Sequence, residues 1–222
     1  MTGSANDDIL LATGWPISIV EAALADRTKK NDLTSFLRDR YCERFFKPIK
    51  LMKDTEGNDQ GYGFSIMALC SLLIESLQSY RHGWPCTNKT ELERLNCRHI
   101  PAEFEVPTSE RPAKLGDEFS SFFKDVEWAD LFPGVDGSQF YNNIRNGLLH
   151  QAQTKDGWRV RKCEQKLWDS DRKVLDRDRF ADALKEAWDR YLDKLRTEDW
   201  DTDDWKRVRR KIWWLIELSR SR

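Results

Sequence analysis

At 222 residues the chain can hold one large domain or one domain with additions, and it can bury a substantial core. Its composition is 39 % hydrophobic and 34 % charged, that of a soluble globular protein, and no run reaches the roughly 18 apolar residues of a membrane span. A formal net charge of -1 excludes a dedicated nucleic-acid coat or a membrane-surface protein but leaves room for a local basic patch. Five cysteines (42, 70, 86, 97 and 163) without repeating spacing predict free thiols rather than a disulfide framework. The N-terminus has no basic segment followed by an apolar run, and the expected location is the cytoplasm.

In chain order, residues 1 to 14 are small and polar and are expected to be loose. The run from Pro16 to Lys30 predicts a short helix. A second helix follows, in which Leu33, Phe36, Leu37, Tyr41, Phe45 and Ile49 recur at three- and four-residue steps, with Pro48 expected to kink or interrupt it. After a linker at 54 to 63, the most apolar helix spans about residues 62 to 81. Phe64, Ile66, Met67, Leu69, Leu72, Leu73, Ile74 and Leu77 cover most of its circumference, which places it at the centre of a bundle. Glu75 interrupts this run and must be paired or reach water, because an unpaired buried carboxylate is expensive.

Residues 82 to 116 hold four prolines and little periodicity, and read as an insertion draped over the bundle with a short helix near 88 to 96. A helix from Gly116 to Trp128 precedes a turn at 131 to 137. The next helix is expected from Ser138, as its cap, to Thr154. Two stretches, WRVRKC and RKVLDR, then predict a two-stranded ribbon separated by LWDSD. A helix capped by Asp178 follows, with Phe180, Leu184, Trp188, Tyr191 and Leu195 inward. A last helix, Thr202 to Leu218, carries an inward row of Trp205, Val208, Ile212 and Leu215, with Trp213 and Trp214 beside it.

The helix from Phe140 to Gln151, FYNNIRNGLLHQ, carries one of three histidines. With Phe140 at zero and about 100° per residue, Ile144, Leu148, Tyr141 and Ala152 form an apolar stripe within about 120°. Asn146 and His150 fall near 240° and 280°, and Arg145 near 140°, about 140° from His150. These three residues can carry metal-free phosphodiester cleavage. An imidazole can take a proton from a ribose 2′-hydroxyl or give one to the leaving 5′-oxygen. A guanidinium forks onto phosphate oxygens and stabilises transition-state charge, and an amide can orient either group. One histidine cannot easily be acid and base at once, and two copies of the helix meeting across a two-fold axis would ease both difficulties.

The segment IRNGLLHQ resembles the Arg-Asn-x3-His signature of the HEPN (higher eukaryotes and prokaryotes nucleotide-binding) superfamily, on Arg145, Asn146 and His150. The upstream GYGFSIMALCSLLIESLQSY and the later RFADALKEAWDRYLDKLR resemble bundle helices of bacterial HEPN proteins, so the resemblance covers about residues 60 to 197. It implies an all-α fold: an antiparallel helical bundle of HEPN type, here with a long insertion, a small β-hairpin and an extra C-terminal helix. Residues 1 to 60 would form a helical extension, 61 to 200 the bundle with the insertion at 82 to 116, and 201 to 222 a helix packed on it. It further implies a homodimer with facing motifs and a metal-independent, cofactor-free endoribonuclease of toxin–antitoxin or antiviral defence systems, leaving a 2′,3′-cyclic phosphate and a 5′-hydroxyl. Glu75 matches an acid that the family often places near the motif arginine, its alternative being a helix-edge ion pair. Other members are inert modules that bind a partner protein or nucleotide, and an effector active only within a multiprotein defence system is a third reading.

Basic residues offer an RNA path. Arg159, Arg161 and Lys162, with Lys166 beyond, follow the motif, the two arginines on one face of the proposed strand. The cations of the last helix, Lys206, Arg207, Arg209, Arg210 and Lys211, read as a solvated face balanced by Asp199, Asp201, Asp203 and Asp204. The Trp-rich tail reads as packing or a partner surface. Cys86, Cys97 and His99 have no recognised zinc spacing, and His82 reads as a helix-end cap or a solvent-facing group.

Overall fold

A computed structural model describes residues 8–55, 61–86, 95, 100–110 and 115–220. The chain opens with an antiparallel hairpin of β1 (Leu10–Ala12) and β2 (Trp15–Pro16), followed by α1 (Ile17–Ala25). The expected loose start therefore gives way to a strand by Leu10, because Leu11 and Ala12 are buried. Residues 1 to 7 and the proposed helix near 88 to 96, Leu95 apart, lie outside the described residues.

Helix α2 (Lys30–Tyr41) continues through a π-helical turn at Cys42–Phe46 into α3 (Lys47–Asp54). Leu33, Phe36, Leu37, Tyr41 and Ile49 are buried at the expected steps, and Phe45 packs partly buried beside them. Instead of a kink at Pro48, the helix widens just before it. Proline lacks an N–H and crowds the carbonyl four residues back. One extra residue in the turn accommodates this, and Lys47 donates its N–H to the Cys42 carbonyl.

Helix α4 (Gly63–His82) occupies the centre, against α3, α5 (Leu115–Lys124), α8 (Arg177–Thr197) and α9 (Asp203–Arg220). Ile66, Met67, Cys70, Leu73, Ile74, Leu77 and Tyr80 are buried, whereas Phe64 and Leu72 remain 43 % and 42 % exposed and leave one apolar edge bare. Burial pushes the Cys70 thiol far up, making it an inert core residue. At the end of α4, Arg81 donates to Asp125 at 2.7 Å and to Glu127 at 3.0 Å. Lys194 of α8 joins Glu127 to Asp204 of α9, each at 2.5 Å, so one polar network ties three helices and a loop.

The expected hairpin is a three-stranded mixed sheet. β3 (Arg159–Arg161) runs parallel to β5 (Val174–Asp176), and β4 (Trp168–Asp169) pairs antiparallel on the other edge of β5. All three β5 residues are buried, so β5 needs a neighbour on each side. The intervening LWDSD supplies one of them, with Trp168 stacked on Trp158 at 4.0 Å. Asp176, not Asp178, caps α8, its carboxylate accepting from the backbone N–H groups of Asp178 and Arg179 at 3.0 and 2.8 Å. The predicted inward row of α8 is buried throughout. The core is continuous from Leu11 to Ile216, and the described residues form a largely helical fold with two small sheets. No described helix is long and apolar enough to cross a membrane.

The described part of the insertion lies over α9. Phe104 stacks on Trp213, and Trp84 and Val106 form a small separate core. Of the α9 cations expected to form a solvated face, Lys206 is exposed, whereas Arg207, Arg209, Arg210 and Lys211 are partly or fully buried. Arg207 and Arg210 grip Glu110 at 3.3 and 2.8 Å, and Lys211 donates to the Pro85 carbonyl at 2.9 Å. Of the acids expected to balance them, Asp203 holds Lys206 at 3.0 Å, while Asp201 pairs with Arg27 at 2.8 Å.

Candidate active site

The motif lies on a helix built in three parts: α6 (Gly137–Phe140), a π-helical turn (Tyr141–Arg145) and α7 (Asn146–Gln151). Asp136 rather than Ser138 caps it, its carboxylate accepting from the Gln139 N–H at 2.8 Å. A Ser138 cap would leave the first turn outside the helix, whereas Asp136 reaches N3 directly. The helix ends at Gln151, three residues early, because Ala152 adopts φ 51° and turns the chain back. Lys155 then donates to the Asn143 carbonyl at 3.0 Å. The returning backbone passes so close to Gly147 that a Cβ there would collide with the Gln153 carbonyl oxygen. Phe140, Ile144 and Leu148 form the buried stripe, while Ala152 leaves the helix and the buried Gly147 completes its inner face.

Arg145 reaches Glu75 on α4. Its Nε donates to Glu75 Oε1 at 2.8 Å and its Nη1 to Asn146 Oδ1 at 3.1 Å. The side chains of Arg145 and Glu75 are 15 % and 13 % exposed, so the pair is partly desolvated and its charge-assisted bond is correspondingly strong. The guanidinium carbon lies 5.6 Å from the Tyr141 ring centroid. The structure therefore brings Glu75, Arg145 and Asn146 together. Nη2 of Arg145 makes no hydrogen bond among the described residues.

His150 does not join this cluster. It lies one turn beyond Asn146 in the last turn of α7, exposed, and among the described residues its ring makes no hydrogen bond. Tyr141 is the member that the periodicity assigned to the core stripe. Its spacing of four before Arg145 was the signal for a ring under the guanidinium.

The basic stretch is on β3. Arg159 and Arg161 are exposed on one face while Val160 faces inward, and Lys162 is exposed just beyond. Arg159 donates to the Arg172 carbonyl at 2.6 Å. Among the described residues no group of three or more His, Cys, Asp or Glu side chains is placed to hold a metal ion, and Cys97 and His99 lie outside those residues. His82 neither caps nor faces solvent freely: it is half-buried, stacked on Trp84 at 4.3 Å and 12°, while Gly83 in the left-handed conformation closes the helix. No protein-family model, curated protein or solved structure matches the chain.

Proposed function

We propose that the chain is a metal-independent endoribonuclease of HEPN type, acting as a homodimer. The observation that carries the reading is the Glu75–Arg145–Asn146 cluster, with His150 exposed one turn farther along the same helix. Glu75 fixes the guanidinium by its Nε, and the remaining edge takes a non-bridging phosphate oxygen and stabilises the charge of the transition state. His150 exchanges the proton. One imidazole removes the proton of the 2′-hydroxyl, whose oxygen attacks phosphorus. A second, protonated imidazole gives its proton to the departing 5′-oxygen. The P–O5′ bond breaks as the O2′–P bond forms, leaving a 2′,3′-cyclic phosphate and a 5′-hydroxyl.

Two imidazoles require two copies of the chain, and the bare edge of α4 supports such a pairing. Phe64, Leu72 and Leu149 are 43 %, 42 % and 38 % exposed. Between the Arg145–Glu75 pair and the contact of Val160 with Gly63, the chain runs back along α4. Arg159, Arg161 and Lys162 would hold the flanking phosphates, and the substrate is single-stranded or loop RNA, in which the 2′-hydroxyl can swing in line. A cognate partner protein of a toxin–antitoxin or antiviral system would restrain the activity.

The test is cleavage of single-stranded RNA in EDTA, with analysis of product ends. Products ending in 2′,3′-cyclic phosphate and 5′-hydroxyl, unchanged by the chelator, are expected. Loss of all cleavage in EDTA contradicts the reading. The second reading, a non-catalytic module that binds a partner protein or nucleotide, draws on the engagement of Arg145 by two side chains of its own chain. Absence of cleavage by a well-folded dimer would favour it.

A further inference from the structure

Remote from the motif helix, α1, α9 and the segment at 103–104 enclose a cleft of about 440 Å³. Its walls are two aromatic pairs. Trp213 lies against Phe104 with ring centroids 5.1 Å apart and planes 10° apart. One turn earlier on the same helix, the Arg209 guanidinium lies 4.5 Å over Trp200, which is backed by the buried Trp205 at 5.2 Å. The volume lies within the range of about 300–1,000 Å³ usual for small-molecule sites.

The polar groups at this cleft are unequal. Glu21 is held by Arg220 at 3.0 and 2.7 Å. Asp201, near the Arg209 charge, is held by Arg27 at 2.8 Å. Arg209 and Glu103 differ: among the described residues neither makes a hydrogen bond or a close ion pair, and each lies near enough to feel the other's charge. On its helix Lys206, Arg207, Arg210 and Lys211 bond to oxygen atoms, whereas Arg209 is engaged only by the Trp200 ring among the described residues. The cleft thus offers flat apolar walls, one guanidinium that donates and one carboxylate that accepts, with their charges balanced. A phosphate would meet Glu103 and the neighbouring acids, so an uncharged ring with both acceptor and donor edges suits the cleft better than an anion.

We propose that this cleft binds a purine base, guanine by preference. Unstacked bases are held on aromatic rings and guanidinium planes, and stacking of this kind tolerates any base. Selectivity comes from the edges. Guanine presents O6 and N7 acceptors to a guanidinium, and its N1–H and 2-amino donors match a carboxylate. Adenine has no ring N–H to offer Glu103. None of the cleft residues belongs to the Arg145 cluster, so the site stands or falls independently of the ribonuclease reading.

The test is titration of the full chain with guanosine and with adenosine, read by tryptophan fluorescence and calorimetry. Saturable guanosine binding is expected, about fivefold or more tighter than adenosine. Trp213→Leu should weaken both nucleosides about tenfold, with Phe104→Leu as the second variant should the first fail to fold. Glu103→Gln should abolish the preference while retaining stacking. A single-stranded RNA with one guanine separates the two sources of the base: tighter binding than guanosine assigns the cleft to RNA, and equal or weaker binding to the free nucleoside. No saturable binding at about 1 mM guanosine, or binding that both variants leave unchanged, overturns the proposal.

Discussion

Arg145 carries a positive charge into a partly dry position, and Glu75 is what makes that position tolerable. Removing the carboxylate leaves the guanidinium with a neutral amide and an aromatic face as its remaining partners. Glu75→Ala should therefore lower stability by ~1–3 kcal/mol in urea unfolding, the usual cost of losing a hydrogen bond to a charged group with partial solvent access. The same substitution should reduce RNA cleavage, since the freed guanidinium no longer presents one fixed edge. A variant with wild-type stability and activity would show that the pair is a passive surface bridge. Ala152 makes the opposite prediction. A non-glycine residue at φ 51° costs roughly 1–2 kcal/mol against an unstrained backbone, part of which glycine recovers. Ala152→Gly should raise stability by ~0.5–1 kcal/mol and leave the motif in place, as measured by denaturant midpoint and cleavage rate.

The element that most changes the reading of the site is the motif helix. A strict period of 3.6 predicted the burial of Phe140, Ile144 and Leu148, because each apolar side chain still found the core across the π-helical turn. The pattern could not show where the helix stops. That limit is set by the backbone returning over Gly147, a contact with Gln153 that carries no hydrophobic signature. The same reason explains the sheet. Two β-like stretches read as neighbours joined by a loop, yet the partner of β5 on one edge is the charged-looking LWDSD, anchored by Trp168 against Trp158.

At the C-terminal end of α4 a pH dependence is built in. Burial holds the Glu118 carboxyl up at about 7, from an ordinary value of 4.5, with the Asp117 charge adding to the effect. Burial, together with the Arg207 and Arg81 charges, pushes His82 down to about 4 from 6.5. Their nearest atoms are 3.9 Å apart, beyond hydrogen-bond range, so desolvation dominates both. Glu118 contributes stability that is present below pH 4.5 and lost as the pH rises towards 7. His82 contributes stability that is present above pH 6.5 and lost as the pH falls towards 4. Between 4.5 and 6.5 the two slopes oppose one another. Glu118→Gln should therefore leave a stability that rises with pH across that window, and His82→Gln one that falls. Parallel profiles for the two variants would refute the assignment.

Over the whole molecule, the helical order and the central place of α4 were legible because long amphipathic stripes report burial directly. Glu75 was legible too, since a carboxylate inside an apolar run demands a partner, and Arg145 is that partner. The role of the α9 cations was not. Composition cannot distinguish a solvated basic face from arginines that clamp a distant glutamate, and Glu110 lies about 100 residues earlier in the chain. The Trp-rich region was similarly opaque, because the cleft that joins Phe104 to Trp213 exists only once the insertion has folded over α9.

The proposed cleavage site needs His150 from two copies of the chain. That requirement is tested by measuring RNA cleavage in mixtures of wild type and His150→Ala at constant total protein, after the chains have exchanged. No cleavage is expected from the variant alone, with its fold retained, and activity should fall as the square of the wild-type fraction, since a mixed dimer lacks one of the two proton-transfer groups. Activity falling in simple proportion to the wild-type fraction, or cleavage by His150→Ala at the wild-type rate, would contradict it.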